Sequence, residues 1–123
     1  MAYKRPLFTA NFSANLKDIE SFLGGKGSAV FERFFRKLVD ETIPMLCRFP
    51  QSGRSFLERS IQTAQALDLV GRIRELSKKG DDIRELITHE SLVLYIVRGE
   101  QVIFLSIKHH RQLSYDLQLF WQE

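Results

Sequence analysis

Hydrophobic positions follow two different periods along this chain. Through most of the first two thirds they recur every three or four residues, whereas after Gly80 they form short runs rich in β-branched residues. A period near 3.6 predicts amphipathic helices, and short β-branched runs between turn residues predict strands. Because strands and helices are segregated in sequence, we expect an α+β fold in which helices cover one face of a mainly antiparallel sheet.

Glycine, proline and capping residues divide the first part of the chain. Loose alternation predicts a first strand over residues 7–14, and Asn15 is a candidate N-cap for a short helix. Consecutive glycines at 24–27 end that helix, and Ser28 is predicted to cap a second one with a wide apolar stripe. Pro44 should kink this second helix or start a new turn, because proline lacks the backbone donor.

The later elements follow from the same periods. Apolar residues every three positions predict a third amphipathic helix at about 60–80, ended by Gly80. Three strands and a closing helix or tail are then predicted at 83–88, 92–97, 102–107 and 114–121, with a tight hairpin at 98–101.

Length and composition limit the class of protein. With 123 residues, 44% of them hydrophobic and 27% charged, the chain is expected to form a single folded domain over 1–123. The net charge of +3 permits a polyanionic partner without demanding one. The sequence has no signal-peptide pattern and no apolar run near the ~18 residues of a membrane span, so we expect a cytoplasmic protein without a membrane partner.

Several kinds of chemistry are disfavoured. The single Cys47 excludes an internal disulfide and is expected to be a buried hydrophobe. The sequence lacks nucleophile-elbow and phosphate-loop motifs, and adjacent His109 and His110 should point to opposite faces of a strand, so neither a metal nor a cofactor is expected. The carboxylates near the strands are not paired for catalysis and are expected to be solvated: Asp81, Asp82, Glu85, Glu90 and Glu100.

A basic segment follows the last predicted strand. Lys108, His109, His110 and Arg111 gather four nitrogen-bearing side chains, with Tyr115 four residues further on. Such a segment suits contact with phosphate or an acidic partner, and a histidine there can exchange protons near neutral pH. A merely solvated basic turn is the alternative of equal weight.

Two arginines and a tyrosine lie outside this segment. Arg54 follows a Phe-Pro-x-x-Gly turn, and Arg84 opens the first strand of the predicted meander. From the residues alone, Arg84 is expected to hold a carboxylate or a loop carbonyl. Tyr95 lies within an apolar strand and is expected in the core.

Four blocks of the sequence, in this order, resemble the ParE branch of the RelE/ParE toxin superfamily. They are Phe-Pro-Gln-Ser-Gly-Arg at 49–54, Ile-Arg-Glu-Leu-Ile at 83–87, Leu-Tyr-Ile-Val at 94–97 and Ser-Ile-Lys-His-His-Arg-Gln at 106–112. The resemblance covers residues 8–115 and implies a helical hairpin on a twisted, mainly antiparallel sheet. The helix predicted at 60–80 departs from the family pattern as an insertion.

The resemblance also implies a function. It indicates the toxin of a type II toxin–antitoxin, or plasmid stabilisation, system, neutralised by a cognate antitoxin that covers an exposed apolar groove. A homodimer or a toxin–antitoxin heterotetramer is compatible with this. The target-binding surface is expected to comprise the basic C-terminal turn with two arginines nearby: Arg54, Arg84, Lys108, His109, His110 and Arg111.

Three activities stay open at this point. We favour a non-catalytic inhibitor of DNA gyrase, as the ParE-like turn implies. The alternative is a RelE-like, ribosome-dependent endoribonuclease acting on messenger RNA, for which His109, His110, Arg111 and Tyr115 would supply acid–base chemistry and phosphate stabilisation. A binding module or an inactive former toxin is the third.

Overall fold

The computed structural model describes residues 3–56, 75 and 77–112. The predicted inserted helix at 60–80 falls mostly outside the described residues, and the predicted C-terminal element at 114–121 falls outside them entirely. Within them the chain forms these helices and strands in order: β1 Arg5–Phe8, α1 Ala10–Phe22, α2 Ala29–Lys37, α3 Ile43–Arg48, β2 Arg54–Ser55, β3 Asp82–Ile87, β4 Ser91–Arg98 and β5 Gln101–His109.

The strands form one sheet in the order β1-β5-β4-β3-β2. Neighbouring strands are antiparallel except β1, which runs parallel to β5. The predicted hairpin is confirmed: β4 and β5 are joined through Gly99 and Glu100, and Gly99 has a φ of +54° that favours glycine. The α+β class and the central position of β4 are therefore as predicted.

The first strand and helix differ from the prediction. The strand ends at Phe8, and α1 begins five residues before the predicted cap, with Thr9 as the true N-cap. The Thr9 hydroxyl accepts a hydrogen bond from the Phe12 backbone N–H at 3.1 Å. Phe8 and Phe12 are four residues apart, a spacing that fits a helix as well as a loose strand, and this ambiguity caused the error.

Asn15 lies inside α1 and satisfies a backbone group of the sheet. Leu105 is an extra residue in β5, because Leu94 pairs with Ser106 while its neighbour pairs with Phe104. The side-chain oxygen of Asn15 accepts a hydrogen bond from the Ile107 N–H at 3.1 Å beside this bulge. Asn15 therefore fixes α1 to β5 and does not cap a helix.

The second helical segment is confirmed with one addition. The Ser28 hydroxyl accepts a hydrogen bond from the Phe31 N–H and caps α2. The segment then widens into a π-helical turn over Leu38–Thr42, and Pro44 lies in the first turn of α3. Pro44, which has no N–H to donate, directly follows the π-helical turn, in which the Ile43 N–H bonds the Leu38 carbonyl five residues earlier.

Apolar side chains are buried on both faces of the sheet. The helix-facing core contains Phe12, Ile19, Phe34, Leu46, Tyr95 and Phe104, and a second buried cluster consists of Phe56, Ile83, Leu94, Ile96 and Leu105. Cys47 is buried, as predicted. Not all of the phenylalanines are buried in these clusters, because four of them are 40–49% exposed: Phe8, Phe22, Phe35 and Phe49.

Candidate functional site

The basic segment after β5 begins with a histidine-capped turn. The Nδ1 atom of His109 accepts a hydrogen bond from the Arg111 N–H at 3.1 Å. In return, the His109 N–H donates to the side-chain oxygen of Gln112 at 3.0 Å. This reciprocal pair has the form of a capping box, in which histidine replaces the usual serine or threonine. The four residues at 109–112 are thus a local structural unit.

His109 is buried rather than exposed in this turn. His109 is 6% exposed, and its imidazole packs edge-on against the Phe34 ring, with 5.0 Å between the ring centres. Burial lowers the pKa of His109; Glu90 opposes this effect, and the charges of Arg111 and His110 add to it. Because Nδ1 accepts a hydrogen bond, the proton of the neutral ring lies on Nε2.

A cleft opens beside the capped turn. It encloses about 440 Å³ between α2, the turn joining β3 to β4, and the turn after β5. The His110 N–H donates to the Glu90 carbonyl at 2.9 Å, which ties the two turns together. The Thr88 hydroxyl accepts hydrogen bonds from the Glu90 and Ser91 N–H groups, at 3.2 and 2.9 Å. Two walls of the cleft are therefore held by hydrogen bonds that fix their backbone.

The cleft carries positive charge that the fold does not neutralise. Within the described part of the chain, four cationic or imidazole side chains that line it have no hydrogen-bond or ion-pair partner: Arg33, His89, His110 and Arg111. The carboxylate of Glu90 also lines the cleft, but Lys37 offsets it at 3.7 Å. Two guanidinium charges therefore remain.

Arg54 and Arg84 serve the fold instead. Arg54 Nε donates to Oε1 of Glu85 at 2.9 Å, and that carboxylate is almost fully buried. Arg84 donates to Asp82 Oδ2 at 2.7 Å and to the carbonyl of Gly53 at 2.6 Å. The expectation that Arg84 holds a carboxylate or a loop carbonyl is confirmed, since it holds both.

The sequence analysis predicts Arg54 and Arg84 near the basic turn. In the structure they lie elsewhere. Arg84 pairs with Tyr95, whereas Lys108 pairs with Leu92, three residues earlier in β4. Three residues correspond to about 10 Å along a strand and to opposite faces of the sheet. The structure thus brings together His110 and Arg111 at the cleft and leaves Arg54, Arg84 and Lys108 elsewhere.

The carboxylates are also less solvated than predicted. Glu85 is 2% exposed as a residue and pairs with Arg54. Asp81 accepts two hydrogen bonds from Arg98, at 2.8 and 2.7 Å, and this interaction lowers the pKa of Asp81. The sequence could not show these pairs because each joins residues from different parts of the chain.

The Pro-x-x-Gly-Arg turn is fixed by Tyr95. The Tyr95 hydroxyl donates to the Pro50 carbonyl at 2.6 Å and accepts from the Gly53 N–H at 2.9 Å. Burial raises the pKa of Tyr95, so the group stays a neutral donor and acceptor. Tyr95 is in the core, as predicted, and its hydroxyl connects the sequence block at 94–97 to the block at 49–54.

An apolar groove runs along the opposite side of α2 from the cleft. It encloses about 460 Å³ between β1, α1 and the segment from α2 to α3. Phe8, Phe35 and Val39 line it and are each more than 40% exposed. The described residues that line this groove are predominantly apolar.

Over residues 3–56, 75 and 77–112, histidine, cysteine, aspartate and glutamate do not gather in groups of three that could hold a metal ion. No helix in the same ranges is both long and apolar enough to cross a bilayer.

Two cleft residues were missed in the sequence. Arg33 lies on the exposed side of α2, and His89 lies in the turn between β3 and β4. Arg33 is one of several charged residues of an amphipathic helix, and His89 lies in an ordinary polar turn, so neither gave a signal. The helical period could have placed Arg33 next to Val30 on α2, but the approach of His110 and Arg111 depends on the tertiary fold. Tyr115 lies outside the described residues.

The helical hairpin and the mainly antiparallel sheet have the arrangement that the resemblance to the RelE/ParE superfamily implies. Residues 7–114 match the family described as the ParE toxin of the type II toxin–antitoxin system, parDE. The chain belongs to this family.

Other comparisons are weaker. The solution structure of the conserved hypothetical protein HP0894 from Helicobacter pylori is similar with a TM-score of 0.44 and 17% identity, over 89% of this chain and 98% of that one. Among curated proteins, a sequence search finds no match.

Proposed function

We propose that this toxin inhibits DNA gyrase without cutting nucleic acid, and that a cognate antitoxin neutralises it. The burial of His109 is the observation that carries the choice of a non-catalytic inhibitor. A general base must reach the proton it removes. In the turn that resembles the family motif, His109 is packed against Phe34, and its Nδ1 is occupied by the Arg111 N–H.

Target contact is assigned to the exposed part of the basic turn. His110 and Arg111 face the cleft without partners in the described chain, and Lys108 is exposed on the other face of the sheet. Arg54 and Arg84 contribute by holding the turn at 49–54, because their guanidinium groups are engaged by Glu85, Asp82 and backbone carbonyls.

The apolar groove is the proposed antitoxin surface. A type II toxin has an antitoxin partner, and an amphipathic segment laid in a groove buries its apolar residues at i, i+3, i+4 and i+7. Phe8, Phe35 and Val39 offer such a segment a continuous apolar floor. The groove lies away from the basic cleft, so the antitoxin segment would leave part of the cleft open.

A ribosome-dependent endoribonuclease is the second candidate. The observation that favours it is the pair of unpaired imidazoles in the cleft, His89 and His110, beside two free guanidinium groups. Imidazole can move a proton, and a guanidinium can stabilise the charge of a phosphorane-like transition state.

The test uses the purified chain in two assays run in parallel. In the first, gyrase supercoils a relaxed plasmid; in the second, ribosomes translate a defined messenger RNA whose integrity is read by primer extension. We expect loss of supercoiling with intact messenger RNA. Cleaved messenger RNA with normal supercoiling would contradict the proposal of a gyrase inhibitor and favour the nuclease. His110→Gln should then abolish cleavage while leaving the fold unchanged.

A further inference from the structure

The cleft beside the capped turn has the charge and shape of an anion site. Arg33 comes from α2, His89 from the turn after β3, and His110 and Arg111 from the turn after β5. Side chains from three separate segments therefore converge on one volume of about 440 Å³. A charged surface that only contacts water would not require side chains from three segments to line the same cleft.

Three arginines near the sheet show what an arginine used by the fold looks like, and the cleft arginines differ from them. Arg54, Arg84 and Arg98 are each bound to a carboxylate of the sheet, at 2.9, 2.7 and 2.7 Å. Arg33 and Arg111 have no such partner among the residues that the structure describes. Because guanidinium groups present several N–H donors in a planar fork, two of them facing one cleft suit the paired oxygens of a phosphate group.

The walls of the cleft are held in place before any ligand arrives. The His110 N–H is bound to the Glu90 carbonyl, and the reciprocal hydrogen bonds of His109 with Arg111 and Gln112 fix the turn that carries Arg111. Backbone hydrogen bonds of this kind lower the ordering cost of binding.

We propose that this cleft binds a phosphodiester group of a nucleic acid strand, with Arg33 and Arg111 as the charged contacts and His89 and His110 as hydrogen-bond donors. The proposal goes beyond the proposed function, since both gyrase-bound DNA and messenger RNA carry phosphodiesters. It adds two residues, Arg33 and His89, that lie outside the family-like sequence blocks.

The test measures binding of a fluorescein-labelled 12-nucleotide single strand, as RNA and as DNA of equal sequence, to the full chain at several salt concentrations. Arg33→Gln and Arg111→Gln should each weaken binding about tenfold, as expected for loss of a charge-assisted contact. Each should also lower the slope of log K against log salt by about 0.7, the value for one phosphate contact on a single strand. Circular dichroism checks that the variants are folded.

Arg36→Gln is the matched control. Arg36 is exposed on the same helix, three residues after Arg33, but it lines a different hollow with Phe35 and Asp40. Arg36→Gln removes the same charge as Arg33→Gln but should leave the slope of log K against log salt unchanged. Equal effects of Arg33→Gln and Arg36→Gln, or absence of binding to either strand, would overturn the proposal.

Two further outcomes decide the ligand. Tighter binding of RNA or of DNA identifies which strand supplies the phosphodiester. Displacement of the strand by polyglutamate at equal charge would overturn the proposal in favour of an acidic peptide. If gyrase inhibition persists in a protein that binds neither strand, this inference fails while the proposed function stands.

Discussion

One hydroxyl group connects the centre of the sheet to the turn before β2. The Tyr95 hydroxyl bonds both Pro50 and Gly53, and each of those groups lies more than 40 positions away in the sequence. From the sequence, Tyr95 could be placed in the core because of the apolar strand around it. The partners of its hydroxyl could not be predicted, since apolar patterning carries no information about polar contacts between distant segments.

Tyr95→Phe should destabilise the protein. The substitution keeps the ring but leaves the Gly53 N–H and the Pro50 carbonyl without the hydroxyl, and an unsatisfied buried group costs about 1–3 kcal/mol. Urea unfolding would measure the change in free energy. Tyr3→Phe is the control, since Tyr3 is 55% exposed; equal effects of the two substitutions would contradict the role of the Tyr95 hydroxyl.

Gly53→Ala tests the same contact from the other side. A Cβ at Gly53 would lie 2.5 Å from the Tyr95 hydroxyl and 2.7 Å from the Glu85 carbonyl oxygen. The backbone oxygen cannot move without disturbing β3, so we expect a loss of about 1–3 kcal/mol, as for other overpacked sites. Thermal unfolding would show it, and an unchanged melting temperature would contradict the close contact between Gly53 and β3.

At the scale of elements, the capped turn after β5 carries basic side chains and is held by its own hydrogen bonds. The sequence predicted the basic character of this segment and the end of its strand. It did not predict that His109 would face the helices, because that depends on the register of β5, which the bulge at Leu105 shifts. In the same way, the sequence predicts Asn15 as a cap, although its partner is a backbone group beside that bulge.

The turn should weaken in mild acid. Burial holds the pKa of His109 below its usual value of about 6.5, so the unfolded chain takes up this proton at a higher pH than the folded one. The contribution of His109 is therefore complete above about pH 6.5 and is lost as the pH falls below it. Protonation of Nδ1 would also remove the bond from the Arg111 N–H.

Unfolding free energies at pH 7.5 and 5.5 would measure this effect. His109→Asn retains a capping acceptor but does not titrate, so the variant should lose less stability between the two pH values than the wild type. His110→Asn is the control because His110 is only partly buried. If His109→Asn and the wild type lose the same stability, His109 is not the group responsible.

At the scale of the whole molecule, two surfaces lie on different sides of α2. The basic cleft and the apolar groove share no lining residue. The sequence predicted the α+β class and the family, because both rest on patterns along the chain. It could not position the groove, which forms only when β1, α1 and α2 pack together.

Val39→Glu should separate toxicity from neutralisation. Val39 is 44% exposed in the groove, so a glutamate there is tolerated by the fold but places a charge against an apolar antitoxin segment. We expect growth arrest that co-expression of the cognate antitoxin no longer relieves. Ile87→Glu is the matched control, because Ile87 is 52% exposed and lies outside the groove. Rescue of both variants would place the antitoxin elsewhere.

This chain is a type II toxin, and gyrase is its proposed target. The most direct test of this proposal is to induce the chain alone in bacteria and to follow growth, plasmid topology and messenger RNA integrity in the same culture. The account predicts growth arrest with loss of negative supercoiling or cleaved DNA, while messages stay intact. Arrest with cut messages and normal plasmid topology, or growth without arrest, would contradict it.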